Sequence, residues 1–259
     1  MVIYVRKYPT HQRIGLYSRL LVALLFIAGL TACQPRSKAQ ILIEQAITAH
    51  GGDAWQNKTI TFNFRTFHLT LQQQGGQFRY ERTHSDSTGV VIREVLTNDS
   101  FSRSLDGKEQ KLDAAQLGKY SRSVNAVSYF VLLPFKLRDP AVMADYVGET
   151  TLEGKKYDKV RVRFKVEGGG KDHGDTFCYW FNRQTHTMDY LAYSDEGARF
   201  RKAINPQTVG GIRFQDYINY KGDDKDTTSS VSYDRKYTAG QFTELSRIEN
   251  KNTQVIPLK

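Results

Sequence analysis

Between Lys159 and Val166, apolar and basic residues alternate one for one: Val160, Val162, Phe164 and Val166 against Lys159, Arg161, Arg163 and Lys165. Successive side chains on a strand point to opposite faces, so this pattern buries one face and wets the other. A slip of one residue would turn every apolar group outward, which fixes the register. Strand-like runs of the same kind recur at residues 59–71, 77–82, 90–96, 100–105, 176–182, 188–194, 200–204, 212–220 and 229–237, separated by turns rich in Gly, Asp and Asn. The run at 59–71 changes phase between Phe64 and Phe67, as a bulge requires. Asp106-Gly107 is a strong hairpin signal. Strands do not alternate with helices, so the sheet should be antiparallel.

Two helical segments interrupt this series. Ala39, Leu42, Ile43, Ala46 and Ile47 recur at helical spacing and are followed by His50 and the helix-stopping Gly51-Gly52. Asp113 is placed to cap a short second helix in which Val124, Val127 and Val131 share a face, until Pro134 and Pro140 break the pattern. The stretch YFVLLPF at residues 129–135 is too short to span a membrane and too apolar for an exposed loop, so it must cover something. The fold expected is mainly β with helices (α+β): a curved antiparallel sheet forming an incomplete β-barrel covered by helical segments.

The charges are unevenly placed. The 259-residue chain carries 37 Lys+Arg against 27 Asp+Glu, a net charge of +10. Residues 1–32 contain Arg6, Lys7, Arg13 and Arg19 and no acid, followed by the apolar run LLVALLFIA at 20–28. That is the layout of a secretory signal peptide, with a core shorter than a membrane span. It ends in Leu30-Thr31-Ala32-Cys33, which resembles the bacterial lipobox, with Cys33 as the lipid acceptor. Removing residues 1–32 leaves 33 cations against 27 anions, a net +6, and no nucleic-acid partner is expected. The expected organisation is a signal peptide over 1–32, a tether over 33–38 and a single domain over 39–259. Acyl chains such as palmitate on Cys33 would anchor it to a membrane. Gln34 stands where an aspartate usually marks inner-membrane retention in Gram-negative lipoproteins, so attachment to the outer membrane facing the periplasm is expected. Cys178, the other cysteine, sits in an aromatic strand and reads as an inert core thiol.

The search for chemistry gives little. Gly168-Gly169-Gly170-Lys171 lacks the spacing and hydroxyl of a phosphate loop. Asp172, His173 and Asp175 fall in one turn and read first as a solvated turn, with a metal hydrolase as the remote alternative. No Gly-x-Ser-x-Gly elbow is present. No catalytic residue, metal or cofactor is assigned, and an enzyme is not expected.

Several patches, in order, resemble the LolA/LolB-like superfamily of bacterial lipoprotein carriers. They are Ala49-His50-Gly51-Gly52-Asp53-Ala54-Trp55 running into Ile60-Thr61-Phe62-Asn63-Phe64, YFVLLPFKLRDP at 129–140, Tyr146-Val147-Gly148, residues 152–160, and residues 174–182 with Thr187-Met188-Asp189-Tyr190-Leu191. The resemblance implies a half-barrel closed by helices around a hydrophobic cavity for acyl chains, without a cofactor. On this reading Phe62, Phe64, Phe130, Leu133, Phe135, Trp180 and Phe200 line or cover the cavity, and the partner is a lipid or an acylated protein bound by a monomer. The alternative is a structural or partner-binding envelope lipoprotein with a filled core.

Overall fold

In the computed structural model, residues 35–167, 174–194, 197–223 and 228–258 are described. Cys33, the lipobox and the Gly168–Lys171 and Asp172-His173 segments lie outside them. The body from Lys38 onward is one unit. It opens with helix α1 (Lys38–Ala49) and a 3-10 turn (Gly52–Trp55). The first sheet follows: β1 (Lys58–Phe64), β2 (Phe67–Gln74), β3 (Gln77–Ser85), β4 (Val91–Thr97), β5 (Phe101–Leu105) and β6 (Lys108–Glu109). Helix α2 (Ala114–Val131) and a 3-10 turn (Phe135–Arg138) lead to β7 (Val142–Leu152), β8 (Lys155–Phe164), β9 (Phe177–Asn182), β10 (Met188–Tyr193), β11 (Arg199–Val209) and β12 (Ile212–Lys221). A 3-10 turn (Ser230–Ser232), helix α3 (Tyr233–Thr238), β13 (Thr243–Ile248) and β14 (Lys251–Pro257) complete the body.

Every strand pairing is antiparallel, in two seven-stranded sheets ordered β14-β1-β2-β3-β4-β5-β6 and β13-β12-β11-β10-β9-β8-β7. The chain steps from one sheet to the other between β13 and β14, so the two follow each other as one incompletely closed layer with helical segments against it. Among the described residues neither sheet closes on itself, and no helix is long and apolar enough to cross a membrane.

Three local expectations are corrected. The phase change after Phe64 is a tight hairpin, not a bulge: Phe64 pairs with Phe67, and Arg65 takes a φ of 54° at the turn. Residues 229–237 form a 3-10 turn and a helix instead of a strand, because Tyr233 and Asp234 are drawn into the core and Asp234 meets the Lys159 ammonium at 3.1 Å. The second helix is not short: α2 runs 18 residues, started by a capping box between Asp113 and Gln116.

One side of each sheet faces a shared interior. Ile60, Phe62, Leu69, Leu71 and Tyr80 from the first sheet meet Val160, Val162, Tyr179, Phe181 and Leu191 from the second. The apolar face of α1 packs into the same cluster, as its spacing requires. β9 is buried at all six positions. Its odd residues, Phe177, Tyr179 and Phe181, face the interior, and its even ones, Cys178 and Trp180, face a second cluster on the outer side. That outer cluster is covered by Tyr233, Tyr237 and Phe242.

Candidate ligand site

The interior is capped by α2 and the segment that follows it. Only Val124 and Ser128 of the 18 residues of α2 are fully buried. Against the first sheet the helix is held by polar contacts. Arg82 donates to the Ser123 hydroxyl at 2.8 Å, and the Arg103 guanidinium sits 4.1 Å over the Tyr120 ring. Arg82 is itself fixed by the fully buried Glu94, to which its Nε donates at 2.7 Å, and Arg103 donates to the other Glu94 oxygen. From its C-terminal end the chain feeds apolar groups inward. Tyr129 meets Phe164 edge-on at 6.0 Å, Phe130 lies 5.5 Å from Tyr193, and Phe135 stacks on Trp55 at 5.8 Å. Leu132, Leu133 and Leu137 are buried beside them. The segment thus spans from the first sheet to the second across the interior.

Of the seven residues assigned to a cavity or lid, five come together here. Phe62, Leu133 and Phe135 are buried in the interior cluster, and Phe64 and Phe130 pack against it partly buried. Trp180 and Phe200 do not join them. They lie on the outer side of the second sheet, in edge contact at 5.3 Å, under Tyr237 and Phe242. A central strand covered on both sides alternates between two apolar environments, so alternation alone does not say which one is the interior. The basic run Arg199, Arg201 and Lys202 divides in the same way. Lys202 reaches out to Glu153 at 2.6 Å, whereas Arg201, opposite Leu191 on β10, points inward.

The inner wall beneath Phe130 is polar, which the sequence pattern did not signal. Arg201 is buried, its guanidinium 4.0 Å from the centre of the Phe130 ring, and its Nη2 donates to the Tyr193 hydroxyl. Gln215 donates to the Met188 carbonyl at 2.7 Å and to the Tyr217 hydroxyl at 2.8 Å. Burial pushes the Tyr217 hydroxyl up to about 12, opposed by the Gln215 hydrogen bond and by the charges of Arg201 and Arg213. Phe130, Val131 and Leu133 from the lid and Arg213, Gln215 and Tyr217 from the wall enclose a cavity of about 10 Å³. That is the room a single water needs. The Nε of Arg213 and the side-chain oxygens of Gln215 and Asn250 are buried on its lining without a hydrogen-bond partner, as is the Nε of Arg201 beside Phe130.

His50 braces the end of this wall. Its Nε2 accepts from the Met188 N–H at 3.1 Å, and its carbonyl accepts from the Arg213 N–H at 3.0 Å and the Trp55 indole at 3.1 Å. Burial, and then the Arg213 charge, push its pKa down to about 3, so the ring is neutral at physiological pH. Among the described residues no group of His, Cys, Asp and Glu is arranged to hold a metal. Burial raises the pKa of the Cys178 thiol far above its ordinary value.

The profile of a family of unknown function, DUF6503, matches residues 19–250. No curated protein matches the chain. Among solved structures the chain is similar to a LolA superfamily protein from Nitrosomonas europaea, 9% identical, covering 86% of this chain and 96% of that one at a TM-score of 0.48. It is also similar to a domain described as outer membrane lipoprotein-sorting from Vibrio parahaemolyticus, at 7% identity, 69% and 84% coverage and a TM-score of 0.40. A third is a DUF1329 family protein from Desulfovibrio piger, at 12% identity, 85% and 93% coverage and a TM-score of 0.38.

Proposed function

The chain belongs to the DUF6503 family, and we propose that it is a non-enzymatic, lipid-anchored protein of the bacterial envelope that takes an acyl chain or other amphiphile into the interior beneath α2. The observation that carries this reading is the contrast between the lid and what it covers. Only two residues of α2 are fully buried and its apolar contacts are concentrated at its C-terminal end, while the space that this end plugs is walled by apolar groups from both sheets. An element with little buried surface opens locally at low cost. Burying a chain of about 14 to 16 carbons at roughly 0.8 kcal/mol per CH₂ supplies on the order of 10 kcal/mol before the costs of binding. The chain attached at Cys33 would hold the domain at the outer membrane, facing the periplasm.

One observation favours the second reading, a structural or partner-binding lipoprotein without a ligand. With the lid in place the cavity beneath Phe130 measures only about 10 Å³, and Leu133 and Phe135 fill space that a ligand would need. Extraction of co-purifying lipid, followed by uptake of radiolabelled palmitate, separates the two. The carrier reading expects bound lipid or saturable uptake. The absence of both bound lipid and uptake refutes it. The anchor has its own test: Cys33→Ser should abolish metabolic labelling with palmitate, and persistent labelling would exclude Cys33 as the acceptor.

A further inference from the structure

The buried cations of this fold fall into two groups. Arg82 is matched by Glu94, and Lys159 by Asp234 at 3.1 Å. Among the described residues Arg201 has no carboxylate partner: it is 9% exposed, its Nε has no partner, and its hydrogen-bond acceptor is a phenol, Tyr193. Its planar face rests against Phe130, which belongs to the lid. Arg213 lines the small cavity that Phe130 also lines, and likewise has no ion pair among the described residues and a buried Nε without a partner. Both guanidiniums are close enough to act on the Tyr217 hydroxyl. Removing a cation such as Arg201 from water without a counter-ion is costly. A site built this way is completed by an anion, for which a guanidinium offers a planar set of donors.

We infer that Arg201, assisted by Arg213, is the anchor for an anionic oxygen group, a carboxylate or phosphate, that enters behind Phe130 when the lid moves. This rests on the proposed amphiphile binding and narrows it: the ligand is an anionic amphiphile whose head group sits at the inner wall with its tail in the interior. Gln215 and Asn250 add oxygens that lack donors at the same place, so a head that joins the anion to a hydroxyl would satisfy both kinds of group.

The test uses the full chain, purified in a neutral detergent and examined by native mass spectrometry, with decanoate, decanol and inorganic phosphate titrated separately. Decanoate should bind at least tenfold more tightly than decanol. Arg201→Met should remove that preference without changing decanol binding, and Arg201→Lys should restore part of it. The thermal midpoint and near-UV circular dichroism of each variant report whether it is folded, and Arg201→Lys stands in if Arg201→Met is not. Arg201-dependent binding of phosphate without decanoate would keep the anion site and assign it to a free solute. Equal binding of decanoate and decanol, without phosphate binding, overturns the anion anchor and leaves amphiphile binding standing. Absence of all three ligands overturns both.

Discussion

Lowering the pH should destabilise the protein through His50. The imidazole is fully buried, accepts the Met188 N–H, and has a folded-state pKa of about 3 against an ordinary 6.5. Below pH 6.5 the unfolded chain takes up a proton that the folded one refuses. Stability from the neutral ring is therefore fully present above 6.5 and is lost progressively as the pH falls toward 3. Between pH 7.5 and pH 5 this single group accounts for a loss of about 2 kcal/mol. The carboxylates whose pKa values are lowered by their partners, such as Glu81 and Asp145, lose their contribution only at more acid pH. Urea unfolding followed by tryptophan fluorescence at pH 7.5, 6.5, 5.5 and 5.0 measures the slope. His50→Gln keeps an acceptor for Met188 but does not titrate, so its stability should be lower at pH 7.5 and flatter across the range. Equal slopes in the wild type and His50→Gln would show that the imidazole is not held neutral, and the reasoning fails.

Four further outcomes follow from contacts already described. Glu94→Gln leaves Arg82 and Arg103 without their shared counter-charge and should cost roughly 3 kcal/mol in urea unfolding, with α2 loosened first as seen by hydrogen exchange. Gly51→Ala places a Cβ 2.7 Å from the Gly211 carbonyl oxygen at a φ of 122°, whereas Gly75→Ala meets nothing within 4 Å. The first should cost about 2 kcal/mol or more and the second about 1 kcal/mol, read from thermal midpoints. Trp55→Phe keeps the ring beside Phe135 but loses the indole donor to the His50 carbonyl, a loss of about 1 kcal/mol in the same assay. If an acyl chain occupies the interior, fatty-acid affinity measured by competition should rise about fourfold per added CH₂ up to the length that the interior accepts. A flat dependence would place the tail outside.

How much of this was legible in the sequence depends on what each residue type encodes. Alternation located β8, and helical spacing located α1, because each buries one face against the same interior. Asp113 and Asp106-Gly107 marked a cap and a turn because their chemistry is local. The hairpin at Arg65 resembles a bulge in sequence because it lacks the Gly or Asn such a turn normally carries. β13 and β14 escaped notice because Leu245 and Ile256 are exposed and neither strand has a strongly apolar face. Trp180 and Phe200 had the right parity for a buried face but not for the inner one, since β9 is covered on both sides. Arg201 carries no local sign of an inward position. Its inward position depends on pairing with β10 and on Phe130, 71 positions earlier in the chain, which no local pattern encodes.

The inward Arg201 bears on how a filled interior would take a ligand at all. Phe130, Leu133 and Phe135 already gain about 1.5 to 3 kcal/mol each from leaving water, so an acyl chain that displaces them exchanges one apolar occupant for another. Such an exchange offsets part of what the tail gains, and a hydrophobic wall distinguishes tails that differ by one methylene by only about 1 kcal/mol. The lid, however, has nothing to offer Arg201 beyond the face of Phe130. A ligand anion would supply the counter-charge that the closed state lacks, in surroundings where a charge-assisted hydrogen bond is worth about 1.5 to 3 kcal/mol. On the proposed reading the tail makes entry possible, and the head group, through Arg201, decides which amphiphile stays.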